Sequence, residues 1–574
     1  MFKKNKKHLQ PILISAINEL PEKQKELLKK SWANVFYHEF FSRLDEEIFE
    51  VLYSRKPSRP NVPVNVLVGL EVIKEGFGWS DAELYENFFF DLQVRYALGY
   101  DCLGDGDFAI RTLYYFRERL SQYYLNSGIN LIEQAFEGIT DLQITDLEVR
   151  TGMQRMDSTQ IASNIVNANR LQLLVTAIQR IYRILDKADQ NRLAEEFTPY
   201  LGETAGHYTY RMKGKEAVQE NLQKVGKFIF QLINELKPKY AENETFQILE
   251  RIFSENFNLI EEKVSPKENQ ELASDSLQSL DDLEASFRTK RNVHYKGYVA
   301  NITETCEPEN DLQLITKVQV APNNIDDSQL LIEALPNLKE RTEINTLYTD
   351  GGHGSPSGDK LLQSNHIKHI QTAIRGRKQN STKLHLSDFQ INMDSDGNPV
   401  DITCPHGQRV NVKLSLHKKA YDALFAAETC ITCPLVDKCP SHPRTRDPRF
   451  HLRFTLDNAN VAKRRQLSVK YQQEEGNLRA AVEATMRSIK HPYRSGKLSV
   501  RGKFRTSCLI IGSAAMTNVR RIQRYMVSQW KLKEKQKNTE NKQNNTQEML
   551  GNSFLCFIQN VFKYQFPSIR AFNL

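Results

Sequence analysis

Glu475-Gly476-Asn477-Leu478-Arg479-Ala480-Ala481-Val482-Glu483-Ala484-Thr485-Met486-Arg487-Ser488-Ile489-Lys490, followed by His491-Pro492, is the stretch on which the reading of the chain turns. Its alanines are strong helix formers and the proline beyond Lys490 is a stop, so the stretch predicts one helix over 475–490. At ~100° per residue, Leu478, Val482, Met486 and Ile489 form one apolar stripe, while Arg479, Glu483 and Lys490 fall within roughly 40° of one another on its flank. A carboxylate between two cations at the edge of a buried face is, taken singly, a solvated ion pair at i, i+4. Two acidic positions upstream give it a second meaning.

The first is in Glu148-Val149-Arg150-Thr151-Gly152-Met153-Gln154-Arg155-Met156-Asp157-Ser158-Thr159-Gln160-Ile161, where the alternation Val149, Thr151, Met153 predicts a strand that ends by presenting Asp157. The second is in Ile344 to Asp350, a strand ending on Asp350, with the loop Gly351-Gly352-His353-Gly354-Ser355 letting backbone or ligand approach closely. Between them, Tyr295 to Glu304 and Leu312 to Val320 read as a hairpin, and a helix follows around Asp327 to Leu335. Asp157, Asp350 and Glu483 thus form a set suited to two hard divalent cations, because Mg²⁺ prefers oxygen ligands and keeps waters and substrate phosphates in its shell. Two such ions about 3.5–4 Å apart can activate a water or a 3′-hydroxyl and stabilise the leaving oxygen at a phosphodiester.

The composition is that of a soluble protein of several domains: 574 residues, 40% hydrophobic and 26% charged. No apolar run reaches the ~18 residues that span a bilayer, and the basic start lacks a signal-peptide core, so a cytoplasmic protein is expected. A net charge of +8 is mild for this length, but Lys and Arg concentrate in Arg479 to Arg505 and Arg520 to Lys537, as a polyanion partner would require. Eight cysteines are too few and too scattered for a disulfide scaffold.

Pro60 to Tyr124 has a helical pattern: Val64 to Lys74 is apolar at helical spacing, Gly76-Phe77-Gly78 breaks it, and Ser80-Asp81-Ala82-Glu83 supplies a capping box. A third helix is expected near Asp107, carrying Arg111, Arg117 and Arg119. The unit is either a helix-turn-helix reader of DNA or a helical packing domain. Asn164 to about Asp282 carries two helical stripes and is too long for a loop, which makes it a helical insertion.

Asp394 to Gly397 and His406-Gly407 read as hairpin turns. Cys430, Cys433 and Cys439, with Cys404 upstream, could hold a structural tetrahedral zinc; unligated thiols are the alternative, and His406 and His442 are alternative ligands. Leu498 to Arg521 predicts a further helix, Lys531 to Gln547 a disordered low-complexity linker, and Met549 to Leu574 an apolar tail, too short and too polar to span a membrane, that either docks on the protein or contacts a partner or a membrane surface.

With these pieces in order, the chain from about residue 45 to 525 resembles the DDE transposases of bacterial insertion sequences. In one group of that family the third acid lies in Tyr-x2-Arg-x3-Glu-x6-Lys; Arg479, Glu483 and Lys490 match the spacing, while Gly476 stands at the Tyr position. The resemblance implies an α/β fold with an RNase H-like mixed-sheet core over 146–165, 291–365 and 446–525, carrying Asp157 on its first strand, Asp350 on its fourth and Glu483 on a helix beside it. Residues 1–145 would form the helical DNA-binding domain, 166–290 the helical insertion, 366–445 the β-rich cysteine module, and 526–574 the basic linker and apolar tail. It also implies that Asp157, Asp350 and Glu483 bind two Mg²⁺ ions, replaceable by Mn²⁺, that Arg479 and Lys490 contact DNA, and that Glu475 is a rival third ligand. The expected activity is cutting and strand transfer of the element's own double-stranded ends by a nucleoid-associated homodimer. An RNase H-like nuclease without strand transfer and an inactive DNA-binding regulator are the alternatives.

Overall fold

The computed structural model describes the chain except residues 11–14, 58, 103, 167, 207–213, 291, 375–378, 395–396, 416–418, 446, 475–477, 494–496 and 566–574, and except the side chains of 204, 471–474 and 537–565. Glu475 and Gly476 therefore lie outside the described residues, as do parts of the Asp394 to Gly397 turn and of the apolar tail.

Fourteen strands are numbered in chain order: β1 (Met153–Ala162), β2 (Phe257–Ile260), β3 (Lys263–Pro266), β4 (Ser286–Lys290), β5 (Val293–Thr305), β6 (Ile315–Pro322), β7 (Thr346–Thr349), β8 (Lys368–Gln371), β9 (Gln390–Met393), β10 (Pro399–Thr403), β11 (Arg409–Ser415), β12 (Ala420–Phe425), β13 (His442–Arg444) and β14 (Asp447–Phe454). The central mixed sheet runs β4-β5-β1-β7-β8, with β6 also on β5. β5 is antiparallel to β1 and β6 to β5, whereas β7 and β8 are parallel to β1. β5 is buried without a break from Gly297 to Thr305, as expected of a strand covered on both faces.

β1 is the organising strand, and its alternation divides its side chains between two helices. Met156 packs with Leu331, Leu335 and Leu338 of the Asp327–Arg341 helix, and Ser158 hydrogen-bonds to Asp327 of the same helix. Arg155, Asp157 and Thr159 face the other way and meet Leu478, Arg479 and Lys490 around the Ala480–Lys490 helix. Contrary to the sequence expectation, Asp157 is not at a strand end. β1 runs on to Ala162 because β5 keeps pairing with it as far as Gly297, and only the β7 ladder stops, at Arg155–Tyr348.

The N-terminal helices include Val64–Phe77, closed by left-handed Gly78, and Asp81–Phe90, which begins with the expected Ser80–Glu83 capping box. The third helix is Arg111–Ser127. They form no separate core. One apolar cluster joins Val66, Leu70 and Ile73 to Ile302 and Val318 of the sheet, to Val482 and Ile489, and to Ile510 and Ala514 of the C-terminal helix.

Four boundaries differ from the sequence reading. The described helix at the third acid begins at Ala480, after a separate helix Leu456–Glu474. β4 falls within the stretch assigned to the insertion, yet it pairs with β5 in the central sheet. β8 belongs to that sheet too, whereas β14 belongs to the cysteine module, whose sheet order is β13-β14-β12-β11-β10-β9. Finally, one helix spans Lys503–Gln565, through the stretch expected to be a disordered linker; its Lys, Gln and Glu residues are good helix formers. No helix among the described residues is long and apolar enough to cross a membrane.

Candidate active site

The β1–β7 register pairs Arg155 with Tyr348. Asp157 and Asp350 each stand two residues beyond that pair, where the ladder has ended, and are near enough for the charge of Asp350 to act on Asp157. Asp350 caps the short turn Gly351–His353, and its Oδ1 accepts from the Gly352 amide at 2.9 Å and faces His353 Nδ1 at 2.7 Å. A ring nitrogen that faces a carboxylate donates to it, so His353 orients Asp350 through Nδ1. The other His353 nitrogen lies 3.4 Å from Asn301 Oδ1 on β5.

Asp157 Oδ1 accepts from the Ser158 amide at 2.9 Å, and Oδ2 accepts from Arg479 Nη2 at 2.9 Å. Arg479 Nη1 stands 3.6 Å from Glu483 Oε1, so one guanidinium joins a buried carboxylate to one whose side chain is 56% exposed. Asp157 and Glu483 line the same open cleft with Ser158, Thr159, Met486, Arg487, Lys490 and His491. Lys490 Nζ donates to Thr159 Oγ1 at 2.6 Å and to the Gln160 carbonyl at 2.7 Å, which clips the end of the helix to β1.

The electrostatics follow from this crowding. Burial raises the Asp157 carboxyl above its usual range; Arg479 opposes that rise and Asp350 adds to it. Burial pushes Asp350 the same way, but His353, the Gly352 amide and Arg479 together hold it well below the usual carboxylate range. Burial lowers the pKa of Lys490.

The sequence reading missed Asp327. It is buried in the first turn of the Asp327–Arg341 helix and accepts from Ser158 Oγ at 2.7 Å. Asp327, Asp350 and His353 each bring a potential ligand atom within 4.8 Å of the others. Two carboxylates and one imidazole thus form the group among the described residues whose ligand atoms lie close enough to hold an ion. An Asp at a helix start reads as a capping residue, so only the pairing with Ser158 reveals it.

In the module, Cys404, Cys430, Cys433 and Cys439 line one small cavity together with His406. All four are free thiols. The Gln408 amide points at Cys404 Sγ, 3.3 Å away, and the Cys433 amide donates to the Cys430 carbonyl at 3.2 Å. Burial raises the Cys430 thiol, and the other three cysteines raise it further.

Residues 403–523 match the family model described as "Transposase DDE domain". That stretch holds the four module cysteines, Arg479, Glu483 and Lys490, and lies wholly after Asp157 and Asp350. No curated protein and no solved structure matches the chain.

Proposed function

We propose, from the match of residues 403–523 to the transposase DDE domain model, that the chain is a DDE transposase that cuts DNA at the ends of its own insertion sequence and joins the freed 3′-hydroxyl to a target. The observation that supports this reading is that Asp157 and Glu483, from distant parts of the chain, line one cleft and share Arg479, with Asp350 near enough to act on the charge of Asp157. The strand order supports an RNase H-like core, with an antiparallel pair on one side of β1 and two parallel strands on the other.

Asp157, Asp350 and Glu483 are the proposed holders of two Mg²⁺ ions, with Mn²⁺ as a substitute. All three offer the hard oxygen ligands that Mg²⁺ prefers, and a cation would offset the burial, and the lesser repulsion from Asp350, that raise the Asp157 carboxyl; among the described residues the ligand atoms that already lie within 4.8 Å of one another are those of Asp327, Asp350 and His353. Such ions, when bound, activate the attacking oxygen and stabilise the leaving one. The protein's own contribution is orientation: His353 and the Gly352 amide fix Asp350, and Arg479 fixes Asp157. Arg479, Arg487 and Lys490 around the cleft supply positive charge for the phosphate backbone of a double-stranded end. Cys404, Cys430, Cys433 and Cys439 are the proposed holders of a structural zinc, and two copies are proposed to act on a pair of ends.

The test is a nicking and joining assay on a supercoiled plasmid carrying the DNA that flanks this reading frame, with Mg²⁺. Asp157→Asn, Asp350→Asn and Glu483→Gln should each lose cutting. Equal cutting by all three and the wild type would remove the assignment, and cutting without joined product would leave a nuclease.

A further inference from the structure

Glu304, on β5, has no exposed surface. It stands opposite Arg155 in the β1–β5 register, and its Oε1 accepts from Arg155 Nε at 2.6 Å. Its Oε2 accepts from Thr485 Oγ1 at 2.7 Å and lies 2.8 Å from Nη2 of Arg521 on the C-terminal helix. Arg521 also donates to Thr485 Oγ1 and, through Nη1, to the Gln313 carbonyl at 3.2 Å. The second arm of Arg155 donates to the Leu478 carbonyl at 2.8 Å. One buried carboxylate thus ties together β5, β1, the C-terminal helix and the helix that carries Glu483.

A buried charge is costly unless paired, and an apolar residue of similar volume would fill the same space. What the charge adds is direction. The apolar stripe Val482, Met486 and Ile489 holds the helix against the core but permits it to roll or slide, whereas hydrogen bonds to a fixed carboxylate do not. The two attachment points bracket the acid: Leu478 precedes Arg479, and Thr485 follows Glu483 by two residues. At ~100° per residue Thr485 points ~200° away from Glu483, so fixing the inward hydroxyl fixes the outward aim of the carboxylate.

We propose that Glu304, acting through Arg155, Thr485 and Arg521, is a positioning residue that sets the rotation of the Ala480–Lys490 helix and thereby presents Glu483 and Arg479 to Asp157. This rests on the assignment of Glu483 as the third acid.

Glu304→Gln leaves the buried Arg155 and the half-buried Arg521 without a counter-charge and could fail to fold, so the informative variant is the isostere Thr485→Val, with Thr485→Ser as its rescue. Cutting rate and affinity would be measured on the flanking-DNA plasmid and on a fragment of it, alongside the melting temperature. The expected result for Thr485→Val is a cutting rate about tenfold to a hundredfold lower, an unchanged Kd for the DNA and a melting temperature within a few degrees of wild type, with the rate restored by Thr485→Ser. A wild-type rate for Thr485→Val, a rate loss matched by weaker DNA binding, or no rescue by serine would overturn the proposal. Glu483→Gln, run in parallel, separates the two claims. Full cutting by that variant removes the third acid and the positioning role with it, while an inactive Glu483→Gln beside a fully active Thr485→Val removes only the positioning role.

Discussion

Gly352 sits between two carboxylates with no room for a side chain. A Cβ there would stand 2.7 Å from Asp327 Oδ2 and 3.1 Å from Asp350 Oδ1, and its amide already holds Asp350. Gly352→Ala should therefore push Asp350 off its position and lower the cutting rate about tenfold to a hundredfold, since a shift near 1 Å at a reacting centre is enough for that. The melting temperature should fall by only a few degrees, and a wild-type rate would mean that the loop adjusts freely. Asp359 makes a second residue-scale prediction. Burial raises its carboxyl, Arg464 opposes this and Asp457 adds to it, for a value of about 6; its Oδ2 lacks a hydrogen-bond partner. The folded protein then holds a proton there more tightly than the unfolded chain does. The associated stability is fully present below the unfolded value near 3.8 and is lost as pH rises through about 6, a span of at most about 3 kcal/mol. Between pH 7.5 and 5 the wild type should gain stability relative to Asp359→Asn, which does not titrate. Parallel denaturation curves for the two proteins across that range would return Asp359 to an ordinary carboxylate.

Among the elements, the cysteine module is held by a single small apolar cluster around Phe389, Phe425, Phe450 and Phe454, with Cys404, Cys430 and Cys439 at its edge. A core of that size gains much from a metal, because the free energy of binding becomes folding free energy. The full chain should retain about one zinc after dialysis against EDTA, and Cys433→Ser should lose that zinc and melt earlier. A zinc-free protein with an unchanged melting curve would leave the cysteines as packing residues. The module was legible in the sequence because its signal is local: a knuckle spacing and two turns. The strand end at Asp350 is legible for the same reason, a strand followed by glycines, and so is the capping box at Ser80. What was not legible depends on pairing across the chain. Glu304 reads as a polar position on a strand until Arg155, 149 residues away, is set opposite it. β4 was absorbed into the insertion because a five-residue strand shows its role only beside β5. Asp157 reads as a strand end because a polar run, Ser158-Thr159-Gln160, follows it, and only continued pairing with β5 carries the strand on to Ala162.

At the scale of the whole molecule, the two large helical regions flanking β1 differ in how they are attached, and this predicts which of them can be removed. Between β1 and β4 the helices enclose a core of their own, with Leu174, Val225, Ile229, Leu232, Phe246 and Ile252 packed together and no residue of the central sheet in the cluster. The connection back to the sheet is polar: Asp282 accepts from Ser163 Oγ, Tyr298 Oη and the Gly502 amide. The N-terminal helices instead share one core with β5, β6, the Glu483 helix and the C-terminal helix, so their removal would strip cover from Ile510, Ile511, Ala514 and Val519. A fragment spanning residues 168–285 should therefore be monomeric and helical by circular dichroism and should melt cooperatively, whereas a fragment starting at residue 146 should aggregate. The opposite pattern would mean that the central sheet folds without its N-terminal cover. It would also loosen the link between those helices and Glu483, because Val482 and Ile489 are buried in the same core.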